Sequence, residues 1–158
     1  GIIEHTYKKS PFWNDVKKIV FPCLVESRDR LVDLNYDLIK RCRDYLQIST
    51  PVRLASALQV DRLSGSGLIL DICIKTKADI YISGTDGKEY LDIDRFNQKG
   101  IKIVYHDFIH PDYPQQYGAF ESHLSIIDLI ANMGPKSSHI VRECYKAGSG
   151  GMMSDSSN

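Results

Sequence analysis

The sequence predicts an α/β fold: a small three-stranded parallel sheet with crossover helices, preceded by an α-helical section. Three observations lead there. Apolar residues recur at helical spacing through the first fifty positions, the period changes after Pro51, and strand-like runs then alternate with helical ones. Connections of that length join parallel neighbours by right-handed crossovers.

Ser10-Pro11 reads as a helix start, with Ser10 as cap and Pro11 in the first turn. Phe12, Trp13, Val16, Ile19 and Val20 follow at helical spacing until Pro22, where a kink or a new start is expected. Leu31, Leu34, Leu38, Cys42 and Tyr45 define a second amphipathic helix, whose other face carries mixed charge. Ser49-Thr50-Pro51 ends the helical section, and 52–58 is expected to be the first strand. Ser64-Gly65-Ser66-Gly67 leads into a helix with Leu68, Ile69, Ile72 and Cys73 inward. The second strand spans 79–83, a short helix starts at Asp92, and the third strand spans 101–105. A loop over 106–117 precedes an apolar helix closed by Gly134-Pro135 and a last helix over 138–146. The expected organisation is a single α/β domain over 5–146 and a disordered Gly/Ser-rich tail over 147–158.

Lys plus Arg and Asp plus Glu both number 20, so no net field draws the chain to nucleic acid, and nucleic-acid binding is not expected. With no apolar run near about 18 residues, no membrane insertion is expected either. Cys23, Cys42, Cys73 and Cys144 form no Cys-x-x-Cys pair, which argues against zinc and for a reduced, cytoplasmic protein. The chain opens on Gly1-Ile2-Ile3-Glu4-His5, as a piece cut from a longer protein would.

Asp79 to Leu91 is the stretch that promises chemistry. A buried strand there breaks into Ser83-Gly84-Thr85-Asp86-Gly87-Lys88, putting hydroxyls, N–H groups, a carboxylate and an ammonium at its carboxyl end. Open α/β sheets hold ligands at that edge. The spacing matches no P-loop, because Glu89 stands where Ser or Thr is needed, and turn glycines explain the run equally well. Tyr105-His106-Asp107 ends the third strand, and His110, Asp112 and Tyr113 follow. These groups suit acid–base work, whereas their spacing fits no zinc site, so no metal and no cofactor is expected. Ser125 is expected to cap the next helix with Asp128 as its capping-box partner. Asn132 is left in an apolar helix, and its amide is expected to bond the backbone of the 83–88 or 105–113 loops.

Taken in order, Tyr81-Ile82-Ser83-Gly84, Gly87-Lys88-Glu89-Tyr90-Leu91, Phe96, Gly100-Ile101, Tyr113-Pro114-Gln115, Gly118, Leu124 to Asp128, Asn132 and Gly134 resemble the WbqC-like protein family. Tyr7-Lys8-Lys9 and Pro11-Phe12 also resemble it, so the likeness runs from about residue 5 to 140. It is expected to cover the family's middle and C-terminal part only, since no Gln-Pro-x-Tyr-x-Pro segment is present. Leu68 departs from the polar or basic residue expected there. The resemblance implies a bacterial role in surface polysaccharide (O-antigen type) biosynthesis, and glycine or aminoacyl transfer onto an amino sugar linked to a nucleotide or lipid. His106 or His123 would be the base; Ser83, Gly84, Asp86, Gly87, Lys88, Tyr113 and Asn132 would bind substrate. In the expected arrangement Ser83 to Lys88 share one cleft with His106 and Tyr113. The alternative is a non-catalytic module binding a sugar nucleotide or a partner, and an exposed sheet edge would allow a homodimer.

Overall fold

The structure, a computed structural model, describes residues 1–26, 28–61, 63–106 and 108–149, the side chains of 145–149 excepted. Asp107 and the tail from 150 onward lie outside the described residues. The chain divides into two compact units: a helical unit of Gly1–Thr50 with His110–Tyr145, and a sheet unit made chiefly of Pro51–Ile109.

In the helical unit, α1 (Ile2–Tyr7), α2 (Trp13–Val25), α3 (Leu31–Tyr45), α6 (Ile126–Met133) and the start of α7 (Ser137–Ser149) surround one core. Val16, Ile19, Val20, Cys42, Ile130 and Ala131 are buried there, with Tyr7, Trp13, Leu38 and Tyr45 packed around them. Two expectations change at α2. Ser10 is not its cap: the hydroxyl donates to Gln116 Oε1 at 2.8 Å, and the helix starts two residues later from Phe12. A tertiary partner has displaced the local cap, as short hydroxyl side chains allow. Pro22 lies inside α2 without ending it. Burial of Val20 and Cys23 on either side holds the helix against a proline cost of about 3 kcal/mol.

In the sheet unit, α4 (Gly65–Thr76) leads to β1 (Ile80–Gly84), then a 3₁₀ turn (Thr85–Glu89), α5 (Ile93–Gln98) and β2 (Lys102–His106). The two strands pair in parallel, Ile80 with Lys102 through to Gly84 with His106. Asp92 caps α5 by accepting from the Arg95 N–H. Only two strands form among the described residues, so the three-stranded sheet becomes two-stranded. Residues 51–54 are irregular and Ala55–Ala57 make a 3₁₀ turn. Val52 is the one β-branched residue in that run, and Ala55-Ser56-Ala57 offers no side chain that a pleated surface would pack. One sheet face meets Leu70, Cys73, Leu91, Phe96 and Ile101, with Tyr81, Ile103 and Tyr105 contributed by the strands. On the other, Ile80 and Ile82 stand 55% and 52% exposed.

Candidate functional site

The sheet unit assembles a polar group at the carboxyl end of its strands. Ser83 and Tyr105 are register partners, so alternation puts both side chains on the core-facing side with Tyr81 and Ile103. Ser83 is 4% exposed and donates to the Gly84 carbonyl at 3.0 Å. Gly87 comes over it so closely that a Cβ there would lie 2.0 Å from Ser83 Oγ. Lys88 holds its ammonium 5.2 Å from the centre of the Tyr105 ring. Gly84 and Asp86 are exposed, and Thr85 donates towards Asp86 Oδ1 at 3.5 Å. His106 pairs with Gly84 and therefore faces the opposite side of the sheet, its ring 6.2 Å from Phe108. Thus Ser83, Gly87 and Lys88 come together around Tyr105, while His106 points away from them. Tyr113, His123 and Asn132 belong to the helical unit.

That unit holds a second constellation, built on Asp128. The carboxylate is 5% exposed in the first turn of α6, where the helix dipole favours negative charge. Oδ2 accepts from the Tyr113 hydroxyl at 2.9 Å and from Gln115 Nε2 at 3.2 Å. Burial first, then the Asp128 charge and hydrogen bonding, pushes the Tyr7 phenol up to about 12. Burial likewise raises Tyr113 to about 12, with Asp128 adding to the shift and Gln115 opposing it. Gln115 also clamps its own loop, accepting from the Glu121 N–H and donating to the Glu121 carbonyl, both at 2.8 Å. Asp128 is therefore no capping-box partner; Ser125 caps α6 alone, accepting from the Ile127 N–H.

Against Tyr113 lies an aromatic set. Its ring is 5.4 Å from Phe120, edge to face, and 6.2 Å from His110. His110 in turn stands 5.0 Å from His123 between ring centres. His123 is exposed and has φ 60°, with Nδ1 2.8 Å from Ser122 Oγ. When Nδ1 carries the proton and donates to that hydroxyl, Nε2 keeps its lone pair as an acceptor.

Asn132 makes a local bond instead of the expected loop contact. Its Nδ2 donates to the Asp128 carbonyl at 2.9 Å, four residues back in the same helix. That local bond satisfies a half-buried amide without tertiary help. Sequence reasoning gave Gln115 no role at the site, took Tyr105 and His110 only as groups suited to acid–base work, and read Asp128 as a capping partner. A carboxylate inside an otherwise apolar helix was the signal for Asp128.

All four cysteines are buried, and burial raises each thiol, which keeps it protonated and unreactive. Among the described residues, no group of three or more His, Cys, Asp or Glu side chains is arranged to hold a metal, and no helix is long and apolar enough to cross a membrane. A shallow depression of about 640 Å³ along α2, lined by Asn14, Lys17, Lys18, Phe21, Pro22 and Val25, includes none of the candidate residues.

This α/β chain matches a known family over most of its length: residues 1–140 fit the WbqC-like protein family, and the chain belongs to it. The match starts at residue 1, so the likeness is not confined to the middle and C-terminal part. A Mycobacterium tuberculosis relative, named Uncharacterized protein Rv1507c, is 29% identical over 145 residues. The aligned region is 90% of this chain and 62% of the relative, so the chain spans under two thirds of that protein's length. No solved structure matches.

Proposed function

We propose that the chain serves bacterial surface-polysaccharide assembly by moving an aminoacyl group, such as glycine, onto the amine of a nucleotide- or lipid-linked amino sugar. The observation that supports this reading is the exposed His123 imidazole packed, tilted, against His110 beside the buried Tyr113–Asp128 bond. An ammonium must lose a proton before it attacks, and a positioned imidazole is the usual acceptor at neutral pH. His123 Nε2 takes that proton. The freed amine forms a C–N bond with the carbonyl carbon of an activated acyl donor and sheds its second proton to solvent, the bond to the leaving group breaks, and the imidazolium returns the first proton to it. With every thiol buried, direct transfer fits better than an acyl-cysteine intermediate. The Tyr113–Asp128–Gln115 bonds fix the wall against which the histidine pair stands. His106 is the alternative base, at the end of β2.

A second reading, a binding module without turnover, draws on the half-buried Phe120 and the exposed Tyr117, since such rings stack well on sugars and bases. Incubation of the chain with an amino-sugar nucleotide and a glycyl thioester, followed by mass spectrometry, separates the two. A glycylated sugar supports transfer. Binding of the sugar nucleotide without product supports the module, and neither binding nor product overturns both.

A further inference from the structure

We propose that the turn after β1 is an anion subsite for a diphosphate group, in which the Tyr105 hydroxyl and Lys88 are the ligand-contacting groups and Ser83 assists. The carrying observation is an orphan: the Tyr105 hydroxyl is buried and has no hydrogen-bond partner among the described residues. Buried hydroxyls are almost always bonded, and a ring needed only for packing is served as well by phenylalanine. The unpaired donor does not stand alone. Lys88 sets its ammonium 5.2 Å from the centre of the same ring, so a cation and a donor without an acceptor converge on one place. Ser83, the register partner of Tyr105, adds a hydroxyl on the same face. Its hydroxyl donates to the carbonyl of its own neighbour Gly84 and also lies within hydrogen-bonding reach of the Tyr81 phenol, local contacts it can exchange for a ligand oxygen.

The chemistry of this group is one-sided. It offers an ammonium and two hydroxyls, while the nearby carboxylate of Asp86 is exposed and engaged towards Thr85. Donors with a positive charge select phosphate oxygens over the hydroxyls of a sugar. Gly87 lets the turn close onto Ser83, where any side chain would collide. Because the Tyr105 hydroxyl is screened from water, a ligand reaches it only when Lys88 and its turn shift. Lys88 is exposed on a flexible stem and held at the ring by a weak cation–π contact, so the shift is easy. On binding, the ammonium exchanges the ring for phosphate oxygen and the tyrosine gains its acceptor.

The test is isothermal titration of the chain with inorganic pyrophosphate and, separately, with uridine diphosphate, alongside melting of the ligand-free protein. Wild-type protein binds both. Tyr105→Phe weakens both by about tenfold or more, and its melting temperature is equal or higher, because an unpaired hydroxyl has been removed. Lys88→Met weakens both at least as much. Tighter binding of uridine diphosphate assigns the group to a nucleotide; equal binding assigns it to the diphosphate alone, as on a lipid carrier. Either supports the subsite. No binding by wild-type protein, unchanged binding by Tyr105→Phe, or a lowered melting temperature in that variant overturns it. These readouts involve no acyl transfer, so a failed transfer assay leaves them intact.

Discussion

Tyr113→Phe tests whether Asp128 organises the helical unit. The substitution keeps the ring, which is buried to 7% exposure, and removes only the hydroxyl 2.9 Å from Asp128 Oδ2. A hydrogen bond to a charged group contributes about 1.5–3 kcal/mol, and the carboxylate left behind at 5% exposure retains Gln115 at a longer 3.2 Å and the Tyr7 phenol. The expected loss is therefore about 1.5–3 kcal/mol. Trp13 is the single tryptophan and packs against the helical core, so its fluorescence in a urea titration reports this unit. Asp128→Asn and the double variant complete a cycle, with an expected coupling of about 1–2 kcal/mol. A loss below about 0.5 kcal/mol, the size of an ordinary surface change, refutes the reasoning. So does a coupling near zero.

Three further outcomes follow from the same geometry. Gly134 has φ 53° and ψ −132°, and a Cβ there would lie 2.3 Å from the Phe12 ring, so Gly134→Ala should lose about 2–5 kcal/mol by denaturation. Phe12→Leu should recover the steric share and leave the backbone strain. Gly87→Ala in the sheet unit should raise amide exchange in β1 and β2; adding Ser83→Ala removes the clash with Oγ and should reverse most of it, and Ser83→Gly also removes the Cβ at 3.1 Å, while Leu91 at 3.0 Å remains in both. In alkali, phenols that ionise near 10 when unfolded are held up to about 12 at Tyr7 and Tyr113, chiefly by burial. Their contribution is fully present below pH 10 and lost as pH rises towards 12, so the urea midpoint should fall across that window, less steeply in Tyr113→Phe.

Helical spacing found α3 to its ends, and the short helix read from Asp92 is α5, because both signals are local. The parallel pairing of β1 with β2 was likewise legible, since the α5 connection imposes it. Tertiary competition was not. Ser10 had a local role written in its neighbours and took Gln116 instead; Asp128 looked like a capping partner and took Tyr113. The 52–58 run failed for lack of branched side chains rather than for lack of hydrophobicity. At the candidate site, Ser83, Gly87 and Lys88 were readable from one continuous turn. Which sheet face received His106 depended on pairing register, and the contact of His110 with His123 joins residues thirteen apart through loop geometry that no spacing announces.

The central claim, that His123 is the proton acceptor in aminoacyl transfer, is tested most directly by chemical rescue. His123 sits at φ 60°, a conformation asparagine tolerates, so His123→Asn should keep the fold and its melting temperature. The measurement is the rate of glycyl transfer to the amino-sugar nucleotide in wild-type and His123→Asn protein, with and without added imidazole. Loss of a general base should slow the variant by about 10²–10⁴-fold, and free imidazole should restore part of that rate without accelerating the wild type. A variant that transfers at the wild-type rate, or a slow one that imidazole does not rescue, contradicts the assignment.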